Sequence, residues 1–275
     1  MFYTVFMHEK KITATIICAL KCEAAPLAGS LELDLVRAPF KHYSGNSFRI
    51  LVSGPGKENI IESVRDAAGE FGPGQCFINI GIAGCSDTSV KPGQLFLINE
   101  INSSEGSIPH YPDMIAASSI SEASICTYDK PVLNTETNSL LADMESYWFY
   151  NECIRFVKSS RIHLLKIVSD YMSPGTVTKE LVSSLIHKKA SKIVEYIDTA
   201  RRIGYEEACR DFSNYYSRYR FSVSICMELD KLNSYYFHRE GRWPDESIYE
   251  ETGAPADKKE SMEIYNEIRK KLLQK

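Results

Sequence analysis

Three carboxylates stand where they could take part in acid–base chemistry. Asp170 directly follows the apolar stretch 162–168, which predicts a buried strand, and open α/β sheets bind their ligands at the carboxyl ends of strands. Glu23 follows a second apolar stretch near the N-terminus. Glu145 lies in segment 140–157, whose apolar residues recur at helical spacing and predict one buried helix face. A carboxylate on such a face is unfavourable unless it binds something.

Glu23 and Asp170 also have ordinary structural explanations. In the first turn of a helix, Glu23 would be favoured by the positive end of the helix dipole. Asp170 precedes a turn-prone segment, Tyr171 to Pro174, and could cap a turn or a helix there. The residues alone leave both explanations open.

The strands and helices that must position these carboxylates alternate along the chain, which predicts an α/β fold with a mixed, mostly parallel central sheet flanked by helices. Apolar stretches predict strands at 12–20, 31–40, 48–52, 75–80, 94–101, 124–128 and 162–168, and helices at 58–71, 140–157 and 177–197. The composition changes near Gly204. We therefore expect an α/β domain at 1–204 and a helical C-terminal extension at 205–275, with helices at 205–219 and 258–273. Arg218 and Arg220 stand among tyrosines, which could stack on bases or form a helical cap or a dimer contact.

Composition and charge narrow the class of protein. The 275 residues carry a net charge of −4, which lacks the basic footprint of most nucleic-acid-binding proteins. No apolar run approaches the roughly 18 residues of a membrane span, and Met1 to Lys11 carries charges where a signal peptide needs an apolar core. The sequence predicts a soluble, cytoplasmic protein without nucleic-acid or membrane partners.

The eight cysteines lie mostly in apolar stretches and form no CxxC pair. This pattern favours buried, reduced thiols over disulfides or a zinc site. The sequence predicts neither a bound metal nor a cofactor.

Two glycine-containing turns follow predicted strands. The turn Ser53 to Lys57 could hold a phosphate or a sugar hydroxyl on its backbone N–H groups, or could be a tight structural turn. Asn59 stands where a dinucleotide fingerprint would need glycine. The small residues at 81–84 (GIAG) would let another backbone or a ligand approach closely.

In their order along the chain, these pieces resemble the nucleoside phosphorylase and nucleosidase superfamily, most closely the 5′-methylthioadenosine/S-adenosylhomocysteine nucleosidases. The resemblance covers about residues 12 to 200. Six short motifs carry it: IICALKCEAAPL (16–27), SGPGK (53–57), INIGIAG (78–84), KPGQLFLINE (91–100), ADMES (142–146) and IVSD (167–170).

The resemblance implies a role for each carboxylate. Glu23 would activate the attacking water, Glu145 would bind ribose hydroxyls with Met144 packed against the sugar, and Asp170 would protonate the purine. Breaking an N-glycosidic bond builds positive charge on the sugar and negative charge on the base, so this reaction needs both a carboxylate and an acid. The resemblance also implies a homodimer or higher homo-oligomer. Further substrate-binding residues are expected at Gly54, Ile82, Ala83, Gly84 and Ser169.

Three departures from the family pattern bear on substrate recognition. Ile82 occupies a position that is usually serine, and Lys166 one that is often arginine. The segment 101–142 is much shorter than in the family, where it supplies sheet and much of the purine pocket. Base recognition is then expected from His110 and Tyr111, from the C-terminal helices or from a neighbouring subunit, although a His-Tyr-Pro stretch is also typical of a surface loop.

Two alternatives to a nucleosidase remain open. A purine nucleoside phosphorylase would need cations to hold phosphate, and only Arg49 and Lys57 stand near the glycine turns, which favours water but leaves phosphate possible. The second alternative is a non-catalytic nucleoside-binding or scaffold protein. Three carboxylates converging on one cleft would favour catalysis, whereas Glu145 paired internally to a lysine or arginine would favour the scaffold.

Overall fold

Nine strands in the described part of the chain form one sheet, which belongs to the first of two compact units, Met1–Tyr205 and Glu206–Lys275. The computed structural model describes residues 12–37, 42–45, 47–69, 75–133, 137, 139–209, 212–240, 243–245, 247–250, 255 and 257–273. The strands are β1 (Ala14–Cys18), β2 (Asp34–Val36), β3 (His42–Gly45), β4 (Phe48–Val52), β5 (Cys76–Cys85), β6 (Leu95–Ser103), β7 (Ser121–Thr127), β8 (Leu141–Asp143) and β9 (Ile162–Asp170).

The sheet is mixed and mostly parallel, as the sequence predicts. Its strand order is β2-β3-β4-β1-β5-β8-β7-β6-β9, and β9 also pairs with β5, so that β5, β8, β7, β6 and β9 form a closed ring. Five of the strand pairs are parallel, namely β1–β4, β1–β5, β5–β9, β6–β7 and β7–β8, and four are antiparallel. The fold class predicted from the sequence is therefore confirmed.

Helices cover both faces of the sheet and pack on alternate residues of its strands. The helices of the first unit are α1 (Lys21–Ser30), α2 (Lys57–Gly69), α3 (Ser146–Cys153) and α4, which begins at Lys179 and ends at Cys209. On β1, Ile16 belongs to the core layer that includes residues of α1 and α4, and its neighbour Ile17 to the layer that includes residues of α2 and α3. Burial on both faces explains why most residues of β1 and β9 are apolar.

Segment 140–157 differs from the single helix that its periodicity predicts. Leu141–Asp143 is a short strand that pairs with both β5 and β7, and α3 begins only at Ser146. Glu145 is the N-cap residue of α3, so it does not lie on the buried helix face with Trp148. Pairing with two neighbouring strands satisfies the backbone of 141–143 and overrides the local helical pattern.

Other boundaries differ by a few residues. In 31–40 the described strand covers only Asp34–Val36. Residues 38–40 and Met1 to Lys11 lie outside the described residues, as does the end of the helix predicted at 58–71. The helix expected at 205–219 is divided, because α4 ends at Cys209 and α5 covers Ser213–Arg218.

The second unit has its own aromatic core. Its further helices are α6 (Val223–Glu240), α7 (Ser247–Glu250) and α8 (Lys258–Leu273). Tyr216 and Tyr219 are buried in this core, so they pack helices together and do not form a base-stacking platform. Among the described residues of either unit, no helix combines the length and apolarity that crossing a membrane requires.

Candidate active site

One cavity at the carboxyl ends of β1, β5 and β9 is lined by all three carboxylates. Their exposures are 2% for Glu23, 8% for Glu145 and 9% for Asp170, so each is buried although it lines a cavity. Of the nine site residues predicted from the sequence, eight line this cavity: Glu23, Ile82, Ala83, Gly84, Met144, Glu145, Ser169 and Asp170. Gly54 is the exception, and its neighbour Pro55 lines the cavity instead.

Glu23 lies in the first turn of a helix, as its structural explanation predicts, and it also lines the cavity. It lies in the first turn of α1, where its Oε2 accepts a hydrogen bond from the Leu20 N–H at 2.8 Å. Its Oε1 accepts one from the Ile82 N–H on β5 at 2.9 Å. Burial raises the pKa of Glu23, and these backbone donors and Lys166 offset only part of the rise. A raised pKa makes the carboxylate a stronger base for a water proton.

The Glu23 carboxylate explains why residue 81, the first of the two glycines in the 81–84 run, has no side chain. A Cβ atom at Gly81 would lie 2.8 Å from Glu23 Oε1, closer than real Cβ contacts allow. The absence of a side chain therefore lets the Glu23 carboxylate reach the Ile82 N–H.

Glu145 is held by the glycine turn between β4 and α2. Its Oε1 accepts a hydrogen bond from the Gly56 N–H at 2.8 Å, so this donor of the predicted phosphate or sugar loop binds a carboxylate of the protein itself. Gly56 and Gly54 have φ values of +94° and +87°, which glycine adopts readily. Burial, with a further contribution from Asp143, raises the pKa of Glu145 to about 7.

Asp170 is directed by an irregularity in the pairing of β9 with β5. Ala83 lies opposite Val168 but Gly84 lies opposite Asp170, which leaves Ser169 as an extra residue. Such bulges re-aim the side chains beside them. Asp170 Oδ1 lies 2.5 Å from Ser169 Oγ, and Oδ2 accepts the Ser173 N–H at 2.6 Å.

The Ser169 hydroxyl also lies 3.2 Å from the Ala83 carbonyl oxygen, to which it can donate. A hydroxyl has one hydrogen to donate. The Ser169 hydroxyl therefore donates either to Asp170 Oδ1 or to the Ala83 carbonyl oxygen.

The buried ion pair between Asp143 and Lys166 was not predicted from the sequence. Lys166 Nζ lies 2.8 Å from Asp143 Oδ2, and both side chains are only 2% exposed. The Asp143 carboxylate also accepts hydrogen bonds from the Ser146 N–H and hydroxyl and from the Thr127 hydroxyl. Burial alone would lower the pKa of Lys166, but Asp143 and Glu145 outweigh it and raise that pKa. A lysine within an apolar strand was the signal available in the sequence.

The residues suggested for base recognition lie elsewhere. His110 exchanges backbone hydrogen bonds with Ile101, and its ring packs 4.9 Å from those of Tyr147 and Tyr150. Tyr111 is 65% exposed. Neither is among the described residues that line the cavity, whereas Pro131 and Val132, in the connection between β7 and β8, are. The shortened segment therefore supplies part of the cavity wall.

The two cations near the glycine turns are engaged away from the cavity. Lys57 Nζ lies 3.6 Å from Glu105 Oε1 and 3.6 Å from the centre of the Trp148 ring. Arg49 is buried on β4. Within the described part of the chain, neither lines the cavity.

Comparison with solved structures shows which class of fold carries this site. The 5′-methylthioadenosine/S-adenosylhomocysteine nucleosidase of Helicobacter pylori, solved with butyl-thio-DADMe-Immucillin-A, has a TM-score of 0.58 at 17% identity over 69% of this chain and 99% of that one. Futalosine hydrolase of Helicobacter pylori has a TM-score of 0.57 at 16% identity, covering 70% and 99%. A Chlamydia trachomatis nucleosidase of the first kind, bound to MTA, has a TM-score of 0.54 at 16% identity, covering 68% and 95%.

The chain therefore has the fold of the nucleoside phosphorylase and nucleosidase superfamily, which confirms the fold implied by the sequence resemblance. Within that superfamily, these three structures are of nucleosidases and a hydrolase. No protein-family profile and no curated protein sequence matches the chain.

Proposed function

We propose that this protein is an N-ribosyl hydrolase that cleaves the N-glycosidic bond of a purine nucleoside or thio-nucleoside and releases the free base. The observation that carries this proposal is the convergence of Glu23, Glu145 and Asp170 on one cavity. The fold shared with solved nucleosidases supports it.

In the proposed reaction, water attacks the anomeric carbon of the sugar as the bond from that carbon to the base nitrogen breaks. Glu23 accepts a proton from the water, and Asp170 supplies a proton to the departing base, so protons balance over the cycle once the two carboxyls re-equilibrate with solvent. Ionised Glu145 accepts hydrogen bonds from the sugar hydroxyls and stabilises the positive charge on the ring. Met144, which lines the cavity beside Glu145, packs against the sugar.

The contacts of Glu145 favour an enzyme over a scaffold that has lost its pocket. The buried cation next to it, Lys166, pairs with Asp143 instead. Asp143 already accepts several hydrogen bonds, whereas among the described residues only the Gly56 N–H donates to the Glu145 carboxylate. Glu145 therefore keeps oxygen lone pairs available for a substrate.

Water is favoured over phosphate as the nucleophile. Among the described residues, neither Arg49 nor Lys57 lines the cavity, so neither would hold a phosphate there. Both oxygens of Glu23 accept backbone hydrogen bonds, which fix this carboxylate, the proposed general base, at the edge of the cavity. A phosphorylase would not need such a base.

The test is release of free base from a panel of purine nucleosides and 5′-thio-nucleosides, followed chromatographically with and without phosphate. We expect release at the same rate in both conditions. Asp170→Asn should lower kcat by about 10²- to 10⁴-fold, the usual contribution of a general acid. Asp198→Asn, on the surface of α4, is the matched control and should leave kcat unchanged. Base release that requires phosphate would favour the phosphorylase, and full activity in Asp170→Asn would exclude the assigned role.

A further inference from the structure

Met172 lines the same cavity as Asp170 and has an unusual backbone conformation. Its φ is +53°, in the left-handed region that few residues other than glycine, asparagine and aspartate adopt. Its side chain is 3% exposed. Strained residues of this kind often occur at functional sites.

The turn that imposes this conformation is closed by Asp170 itself. Asp170 Oδ2 accepts the Ser173 N–H at 2.6 Å, so the carboxyl spans the turn in which Met172 lies. The Tyr171 hydroxyl donates to the Val90 carbonyl oxygen at 2.8 Å and anchors the same turn from outside. The position of Met172 is therefore tied to that of the Asp170 carboxyl.

Gly84 provides the space that Met172 occupies. It lies opposite Asp170 in the pairing of β5 with β9, and a Cβ atom there would lie 2.9 Å from Met172 Sδ. The thioether thus packs against a strand that has no side chain at that point. The second glycine of the 81–84 run therefore seats a side chain and does not simply leave room for a ligand.

We propose that Met172 is a specificity-determining residue, whose side chain packs against the leaving base at Asp170 and limits the size of the base that the cavity accepts. This inference rests on the proposed function, because the base must come within hydrogen-bond reach of its acid. A base so placed lies next to Met172, two residues further along the chain. A thioether packs favourably against aromatic rings, which suits a purine.

The backbone conformation at position 172 would suit glycine better than methionine, so it is the methionine side chain that this position requires. Glycine would adopt a φ of +53° with less strain but would open the cavity wall. Pro131 and Val132, which also line the cavity, are apolar as well. Shape therefore sets base selection at these walls, with Asp170 as the polar contact.

The test compares kcat/KM for an unsubstituted purine nucleoside with kcat/KM for analogues that carry a methyl or larger group at N6, C2 or C8. Met172→Ala should raise the substituted-to-parent ratio by about 10- to 200-fold at one or more positions, the range for one methylene in an apolar pocket. Met172→Gly should do the same because it removes the same side chain while relieving the backbone strain. Met172→Leu preserves the volume and should keep the wild-type order of substrates.

A purely structural role predicts a different result. Met172→Ala and Met172→Gly would then lower kcat/KM for all substrates by the same factor, which would overturn the proposal. Thermal unfolding midpoints of the three variants show whether each is folded under the assay conditions.

The failure of the proposed function can be recognised separately. If the wild-type protein releases no base from any nucleoside, the hydrolase proposal fails, and Met172 is tested by calorimetric binding of adenine and its methylated derivatives. Tighter binding of the methylated bases to Met172→Ala than to wild type would support the size limit. An unchanged order of affinities, or no binding of any base to the wild type, would overturn it.

Discussion

The pKa of the buried Glu145 carboxyl lies close to neutral pH. Burial and the neighbouring Asp143 charge both disfavour its ionised form and bring its pKa to about 7, although Lys166 and the Gly56 N–H act in the opposite direction. Stabilising a positive sugar needs the ionised form. The charge state of this one residue should therefore limit the reaction on the acid side.

We expect kcat/KM for base release to rise with pH through an apparent pKa near 7 on the acid side of its profile. Below that pH Glu145 is neutral and cannot balance the charge of the sugar, so activity falls as pH falls. Glu145→Gln should remove this part of the profile and lower kcat/KM at the pH optimum by roughly 10- to 100-fold, the usual loss of a hydrogen bond to a charged group. A pH profile that keeps the same limb in Glu145→Gln would assign the limb to another group.

Gly81 makes a second test possible at the scale of one atom. Gly81→Ala places a Cβ 2.8 Å from Glu23 Oε1, so the carboxylate must move away from the Ile82 N–H. A displacement of about 1 Å commonly lowers kcat about 100-fold, and overpacking lowers the free energy of unfolding by about 1–3 kcal/mol.

Gly29→Ala is the matched control, because nothing lies within 4 Å of a Cβ at Gly29 in α1. It should retain activity and gain slightly in stability, since alanine favours a helix. Steady-state kinetics and denaturant unfolding of both variants give the comparison. Equal activity of the two would show that Glu23 does not depend on the space at Gly81.

At the scale of elements, the Asp143–Lys166 pair joins the ends of β7 and β8 and the middle of β9 to the start of α3. Asp143 ends β8, Lys166 lies on β9, and the Thr127 hydroxyl at the end of β7 donates to Asp143. The Ser146 N–H at the start of α3 donates to the same carboxylate. The pair therefore fixes where α3 begins, and with it the position of Glu145.

Removing one partner of this pair should destabilise the fold strongly. Lys166→Met leaves the Asp143 charge buried without its cation, which typically lowers the free energy of unfolding by about 3–5 kcal/mol. Lys166→Arg keeps the charge and should lose less. Lys188→Met, at an exposed position of α4, should stay within about 0.5 kcal/mol of wild type. Equilibrium unfolding in urea measures all three, and a loss in Lys166→Met no larger than that of the control would exclude this role.

The elements that the sequence predicts well are those in which one local pattern decides the structure. The strand predicted at 48–52 is β4 and the helix predicted at 258–273 is α8, because each is bounded by turn-prone or polar residues and carries one clear periodicity. The predicted start of α3 was wrong because the strand that precedes it, Leu141–Asp143, is too short to show any periodicity. Only the neighbouring strands reveal that 141–143 is paired.

The candidate site divides in the same way. Motif positions predicted Glu23, Glu145 and Asp170, which do line one cavity. The sequence did not predict Met172 or the Asp143–Lys166 pair as parts of the site. Both depend on contacts between distant segments, such as that of Met172 with Gly84. Sequence spacing along one element carries no information about such contacts.

At the scale of the whole molecule, the described residues that line the cavity all come from the first unit, between Ala19 and Met172. The second unit has a core of its own, organised by a buried side chain. Asn233, 1% exposed, donates to the Tyr216 hydroxyl at 2.9 Å and accepts a hydrogen bond from the Tyr249 hydroxyl. Tyr216 in turn donates to Asp230 at 2.9 Å.

Asn233→Ala should therefore loosen the second unit while leaving the cavity intact. Asn233→Ala takes one hydrogen-bond partner from each of two buried tyrosine hydroxyls. Such a loss lowers stability by about 1–3 kcal/mol, which corresponds to roughly 5- to 150-fold faster amide exchange in α6 and α8. Exchange in β1 and β9 and the kcat/KM for base release should stay as in the wild type, since no cavity-lining residue lies beyond Met172 among those described. Lys259→Ala, an exposed change in α8, is the control and should alter neither. If Asn233→Ala instead speeds exchange in β1 and β9 to the same extent, the two units unfold together and the second unit contributes directly to the stability of the site.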